Sequence, residues 1–230
     1  MNNTAAGNAR DIAFHTIRNK ILTLELKPGE ALSDKQVAEE LHMSRTPVRE
    51  AILILSTANM VVLRPQSGTF VTPIDPAWVE IEQFSRRALE KEIVRLACGR
   101  ISPALAARYD ETLRAYAGEL DGFTPGRILR LLELDNEFHS LAFLAAGQEA
   151  LFRHHIRRDL NQLERLRALS LLFEGGAHLL DDHRRIAAAL IAGDERAALS
   201  ELEEHLSRYR ESLQTARERF PEYFSINVSS

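Results

Sequence analysis

Cysteine is nearly absent from this chain. Cys98 is the only one in 230 residues, which excludes an internal disulfide and suits a reducing compartment. Long apolar runs are missing too. The longest uncharged stretch, Ala51 to Leu63, falls well short of the roughly 20 residues that a membrane helix needs. The opening MNNTAAGNAR has no apolar export core. Together these absences predict a soluble, cytoplasmic protein with no membrane partner. Catalytic signatures are also lacking: there is no Gly-x-Ser-x-Gly elbow, no His-Glu-x-x-His and no phosphate-loop string. No histidine beyond residue 72 follows a glutamate by three positions, the pairing that di-iron bundles use. A metal-dependent bundle enzyme is therefore the weaker rival reading, and no catalytic residue is expected.

What is present is the composition of a globular protein, 45% apolar and 27% charged. The net charge of −4 is unevenly spread. Residues 1–72 carry eight Lys/Arg and seven Asp/Glu, about +1, and the remaining 158 carry 21 and 26, about −5. A nucleic-acid face in the first third is thus permitted although the total is acidic.

Three helical patterns fill that first third. Ala9 to Thr23 places Ile12, Ala13, Ile17, Lys20 and Ile21 at mostly helical spacing before Pro28 and Gly29 break it. Ser33 with Gln36 three residues later forms a capping-box pattern. Ser44 is the expected cap of a third helix, with Pro47 in its first turn and a stripe of Val48, Ala51, Ile52 and Leu55. Arg45 and Arg49 lie beside that stripe and project from the helix start. VVLRP and TFVTP, joined by Gln66-Ser67-Gly68, predict a hairpin. Three short helices and a two-stranded wing make a winged helix-turn-helix, whose third helix is the usual reading head in a major groove. An arginine fork can bind guanine O6 and N7 together. The alternative is that both arginines decorate a solvated helix end. Against it, cations there oppose the helix dipole at about 0.3–1 kcal/mol each and need an anionic partner, which a phosphate-lined groove supplies.

The string ILTLELKPGEALSDKQVAEELHMSRTPVREAIL closely resembles the DNA-binding domain of the GntR family of bacterial transcription regulators. The LKPGE turn, the SRTPVREA helix start and the SGTFV wing match in order and spacing. The resemblance implies that Ser44, Arg45, Thr46 and Arg49 contact double-stranded DNA, and that Gly68 lets the wing tip approach the minor groove. One departure is LSTANMVV, where the family usually has L-x-x-E-G-L-V. Asn59 can take the left-handed turn in place of glycine.

Thr72 to Trp78, with two prolines, reads as a linker. Beyond it six helices are expected, at about 76–99, 103–120, 125–146, 149–173, 177–192 and 194–219, started by Ser102-Pro103 and Thr124-Pro125 and ended by Gly147, Gly175-Gly176 and Gly193. The fold class is mainly α, a winged helix-turn-helix followed by an antiparallel bundle of six helices. The expected domains are 1–72 for DNA binding, 73–76 as linker, 77–220 as the helical effector, metal and dimerisation domain, and 221–230 as a tail. His154-His155 and the charges of RHHIRRD read as a solvated or interfacial face.

Several polar residues fall inside the apolar stripes of this bundle. One stripe runs Ile128, Leu131, Leu132, Asp135, His139, Ala142, Ala146, and others hold His183, His205 and Arg86. Burying any of them unpaired costs several kcal/mol, so each needs a partner. A divalent metal would satisfy four: Asp135 and His139 share a face at i, i+4, and His183 and His205 complete a site. Three nitrogens and a carboxylate suit Zn²⁺ first, with Ni²⁺, Mn²⁺ or Fe²⁺ as alternatives. The competing reading has each histidine satisfied separately. Arg86 either pairs with Glu90 at i, i+4 or binds a carboxylate effector beside the metal.

FSRRALEKEIVRLA, LDNEFHSLAFLAAGQ, DDHRRIAAALIAGDERAA and EEHLSRY match, in order, the ligand-binding domain of the FadR-like branch of the same family, in what resembles its six-helix variant. The resemblance implies Asp135, His139, His183 and His205 as metal ligands and Arg86 as the contact to an organic acid. Gln148 stands where asparagine is more usual. It further implies a homodimer on a pseudo-palindromic operator, most often a repressor relieved by ligand. A regulator that senses the metal alone is the alternative.

Overall fold

A computed structural model describes residues 3–156 and 161–225. The elements, in chain order, are α1 (Asn3–Leu22), β1 (Ala31–Leu32), α2 (Asp34–Glu40), α3 (Arg45–Thr57), β2 (Val61–Arg64), β3 (Gly68–Val71), α4 (Pro76–Ala97), α5 (Pro103–Leu120), α6 (Ile128–Ala145), α7 (Glu149–Leu151), α8 (Asn161–Glu174), α9 (Ala177–Ala192), α10 (Glu195–Ser207) and α11 (Tyr209–Arg219). Contacts divide them into two compact units. Ala77–Ala216 form the second, and the segment from Arg217 onward groups with the residues up to Pro76.

In the first unit the expected stripe is the core. Val48, Ala51, Ile52 and Leu55 of α3 are buried against Ala13, Ile17 and Ile21 of α1 and Val37 and Ala38 of α2. Each Val, Ile or Leu among them contributes about 1.5–3 kcal/mol on burial. Ile12 is an exception, at 45% exposed. The Ser33 hydroxyl accepts from the Gln36 amide at 3.3 Å, as the capping pattern predicts. Ser44 occupies the cap position of α3 with extended backbone but makes no side-chain cap bond.

The sheet has one strand more than expected. β2 and β3 form the antiparallel wing, with Val61 opposite Val71 and Arg64 opposite Gly68, and β1 adds to the free edge of β3. Between α3 and β2, Asn59 adopts φ 54°, the left-handed turn expected of it. Its carbonyl accepts from the Thr72 hydroxyl at 2.6 Å.

The second unit is the helical bundle. Ser102 caps α5 by accepting from the Leu105 amide at 3.2 Å, with Pro103 in the first turn. Thr124-Pro125 opens a single 3₁₀ turn, Pro125–Arg127, before α6 proper. Gly193 closes α9 at φ 71°, and Asp194 immediately caps α10 through the Ala197 amide. This tight stop sets α9 and α10 side by side; α5 packs on α6 and α9, and α6 on α8. Two expected helices are interrupted. The 149–173 segment begins as α7 and a π turn, Phe152–Ile156, and resumes as α8. In RHHIRRD, Arg153 and His154 are exposed, and residues 157–159 lie outside the described residues. The last helix divides at Arg208, where the backbone amide reaches His205 O at 3.4 Å and the side chain turns to Asp182.

After α11 the chain returns to the linker. Ile74 and Phe224, both buried, form a parallel bridge in which Ile74 N donates to Tyr223 O at 2.8 Å and Ser225 N to Ile74 O at 2.9 Å.

The turn at Asn59 yields a stability prediction. Asn59→Val, which forces a β-branched residue to positive φ, should cost about 1–3 kcal/mol, and Asn59→Gly should stay near neutral. Chemical denaturation of the three chains measures the difference; equal midpoints would remove the conformational argument.

Candidate functional site

α6 carries Asp135 and His139 one turn apart, α9 carries His183 and α10 carries His205. The bundle brings all four together, with one donor atom from each lying within 4.8 Å of the others. Each is 6% exposed or less. His183 Nε2 stands 3.5 Å from Asp135 Oδ1, and His139 Nε2 stands 3.8 Å from Oδ2. The His183 ring stacks on Phe138 with centroids 4.1 Å apart. Burial first, and His205 beside it, push the His183 imidazole well below its ordinary pKa. Burial lowers His205 too, against the pull of Asp182. Neutral imidazoles are the form that offers a lone pair.

Carboxylates behind these rings fix their tautomers. His139 Nδ1 faces Glu90 Oε2 at 2.7 Å, and His205 Nδ1 faces Asp182 Oδ2 at 3.3 Å. Each contact turns the opposite ring nitrogen away from the carboxylate, the arrangement that raises the basicity of a metal-binding histidine. Asp182 is itself held by Arg208 Nε at 2.7 Å and by Arg185 at 2.5 Å. Burial works against the charged form of Glu90, but Arg86 and His139 together outweigh it and hold the carboxyl low. At Asp135 burial is likewise outweighed, chiefly by Arg167.

The expected alternative for Arg86 is realised, and it does not exhaust the side chain. Arg86 Nε donates to Glu90 Oε1 at 2.6 Å, and Nη2 lies 3.7 Å from Asp135 Oδ2. Asp135 Oδ2 also receives Arg167 Nη2. Three buried atoms around this point have no hydrogen-bond partner: His139 Nε2, His183 Nε2 and Arg86 Nη2. Leaving a buried polar atom unmatched costs about 1–3 kcal/mol. Two ring nitrogens converging on one carboxylate, His183 Nε2 toward Oδ1 and His139 Nε2 toward Oδ2, suit a divalent cation; a guanidinium with an unused donor suits an anion. The donor set fits a metal.

Beside these groups lies a cavity of about 60 Å³, several times the room that one water needs. Arg86, Asp135, Arg167, Glu174 and Arg208 are its charged lining residues, His205 adds an imidazole, and Leu131 and Leu166 are among its apolar residues. Sequence reasoning missed Arg167 on α8 and Asp182, which stands beside His183 on α9, and saw Glu90 only as a partner for Arg86.

Ser44, Arg45, Thr46 and Arg49 are all exposed on the first turns of α3, and Gly68, at φ 108°, opens the exposed start of β3 with nothing within 4 Å of an added Cβ. The two arginines have a partner the sequence did not suggest. Asp34, in the first turn of α2, bonds Arg45 Nη2 through Oδ1 at 2.6 Å and Arg49 Nε through Oδ2 at 2.7 Å. The charge opposing the α3 dipole is therefore answered inside the chain. Both guanidinium groups remain more than half exposed, so each keeps donors facing outward.

The chain matches two known families. Residues 10–71 match the bacterial regulatory proteins of the gntR family, and residues 83–208 match the FCD domain. An HTH-type transcriptional regulator from an unstable DNA locus of Streptomyces ambofaciens is 30% identical over 97% of this chain and 92% of its own. The HTH-type transcriptional repressor RspR of Escherichia coli K12 is 28% identical, covering 92% of each chain. Among solved structures, E. coli McbR/YncC superposes with a TM-score of 0.74 at 21% identity, over 92% of this chain and 98% of that one.

Two predictions follow from the geometry. Asp182→Asn, which keeps the shape but loses the charge behind His205, should weaken Zn²⁺ binding about 10- to 100-fold in a competition titration; unchanged affinity would detach Asp182 from the ligand. Arg45 first, then Arg49, lower the Asp34 carboxyl below its ordinary value. A depressed carboxylate stabilises above its unfolded pKa, about 4, and loses that contribution as pH falls through the folded value. Wild type should therefore exceed Asp34→Asn by about 0.5–1 kcal/mol at neutral pH, since the arginines are solvated. As pH falls from about 4, through the folded value, denaturation should show the two converging; a gap that does not narrow at all as pH falls would exclude the ion pairs as its source.

Proposed function

The chain belongs to the GntR family of bacterial regulatory proteins and carries an FCD ligand-binding domain, and from that premise we propose that it is a homodimeric repressor which leaves a pseudo-palindromic operator when a small carboxylate enters the bundle. As a member of that family it is a DNA-binding transcription regulator and not an enzyme. Among the described residues no helix is long and apolar enough to cross a membrane.

The observation that carries the effector reading is the set of buried atoms without partners around Asp135. Asp135, His139, His183 and His205 would hold a divalent ion, Zn²⁺ by preference for three nitrogens and one oxygen. Bound there, the ion would supply a Lewis-acid anchor for an organic anion. Asp135 would use Oδ1 for the ion, because Arg167 already occupies Oδ2. Arg86 Nη2 would pair with the carboxylate. A metal-only sensor would leave that buried donor without a use, so the carboxylate reading is preferred.

At the other end, the exposed donors of Arg45 and Arg49 would read base edges or phosphates, with Ser44, Thr46 and the wing at Gly68 positioning the duplex. The E. coli relative RspR, 28% identical, is a transcriptional repressor. A homodimer is supported by an apolar row on α4, where Trp78, Ile81 and Phe84 are 44, 52 and 65% exposed, unusual for an isolated surface. A ligand that binds one dimer arrangement better than another shifts the population, and about 1–3 kcal/mol of coupling changes operator occupancy 5- to 150-fold.

Two substitutions test the reading. Arg45→Ala should weaken binding to a duplex selected from a random-sequence pool by about 1–3 kcal/mol, with circular dichroism and metal content unchanged. Arg86→Ala should keep DNA binding and lose the response to carboxylate in the same gel-shift titration. A normal response from Arg86→Ala removes it from the pocket.

A further inference from the structure

Gln83 sits on α4 one turn before Arg86 and is 3% exposed. Its Nε2 donates to the backbone carbonyl of Leu206 on α10. That bond decides the orientation of the amide, because only the NH₂ end can face a carbonyl oxygen. The other end, Oε1, is buried and has no hydrogen-bond partner. Both Gln83 and Arg86 line the cavity that also holds Asp135, Arg167 and His205.

The wall therefore carries two unmatched groups of opposite kind on one face of α4, i and i+3 apart. The donor at Arg86 Nη2 calls for an anion. The acceptor at Gln83 Oε1 calls for a hydrogen-bond donor on the same small molecule. An ammonium group is a poor answer, since Glu90 and Asp135 already balance Arg86 and Arg167 and a bound metal would add two positive charges beside it. An uncharged O–H has no such penalty. Nothing in the local sequence marks Gln83 for this role, because its neighbours Glu82 and Arg86 are equally polar and equally buried.

We propose that Gln83 is a specificity-determining residue that accepts a hydrogen bond from a hydroxyl of the effector, which makes the effector a hydroxycarboxylate. This rests on the carboxylate reading of the pocket. The site then discriminates by the cost of an unpaired acceptor: an acid lacking the hydroxyl binds and leaves Oε1 unmatched, whereas the hydroxy acid satisfies both groups.

The test uses the full chain loaded with Zn²⁺ and isothermal titration with matched pairs: lactate and propionate, malate and succinate, 2-hydroxyglutarate and glutarate. In at least one pair the hydroxy acid should bind about 10- to 100-fold more tightly. Gln83→Met, similar in volume and without an acceptor amide, should bring the hydroxy acid to the affinity of its partner while the partner's own affinity holds. A hydroxyl preference that survives Gln83→Met assigns the hydroxyl to the metal and overturns the proposal. Acids that bind with no preference in the wild type overturn it too, leaving the carboxylate reading intact. Should no acid of any pair bind to the metal-loaded chain, the carboxylate reading falls and this inference with it. If the Met variant does not fold, the matched pairs on metal-free wild type decide, since no ion is then present to chelate the hydroxyl: a preference there supports Gln83, and its loss overturns the proposal.

Discussion

Taking the Asp135 carboxylate out of water is the constraint on which the bundle depends. An ion of that size loses several kcal/mol of hydration even after the protein relaxes around it. It is tolerated here because α4 brings Arg86, α8 brings Arg167, and α9 and α10 bring imidazoles to the same point. Five helices are thereby committed to one arrangement by a single charge. An apolar residue at position 135 would pack without these requirements and would also leave the helices free to slide. The polar interior is thus a device for register as well as for binding.

The charges come as a nested set. Arg86 and Arg167 are matched by Glu90 and Asp135, so the deepest groups sum to about zero without a ligand. Adding a divalent cation leaves an excess of two positive charges in a poorly hydrated space, and an anion is the natural remedy. In the proposed reading, metal and acid would be each other's counterions, and the affinity of one would rise with the occupancy of the other. The first unit shows the same economy on its surface. Asp34 binds two arginines that would otherwise oppose a helix dipole, and it leaves their outer edges unspent.

Much of this was readable from periodicity. Val48, Ala51, Ile52 and Leu55 announce a buried face because their 3.6-residue spacing survives in the fold, and Asp135, His139, His183 and His205 are conspicuous by interrupting such faces. Asn59 was readable because few residues accept positive φ. What escaped depends on partners distant in sequence. Asp34 meets Arg45 and Arg49 across a helix boundary, and Arg167 reaches Asp135 over 32 positions; no local pattern encodes either. β1 is two residues long, too short for alternation to register. At the division between α10 and α11, Arg208 pairs with Asp182, a residue hidden in the sequence by standing next to a more conspicuous histidine.

The bridge between Ile74 and Phe224 gives the first unit an unusual relation to biosynthesis. Its two residues lie on either side of the helical unit in sequence, so a ribosome releases the winged portion more than a hundred residues before the segment that bridges to Ile74. Until then Ile74, almost wholly buried in the finished protein, must stay solvated or be covered by something else. Completion of this bridge consequently waits on translation of the whole helical unit, so the residues that match the FCD domain are made before Ile74 meets Phe224.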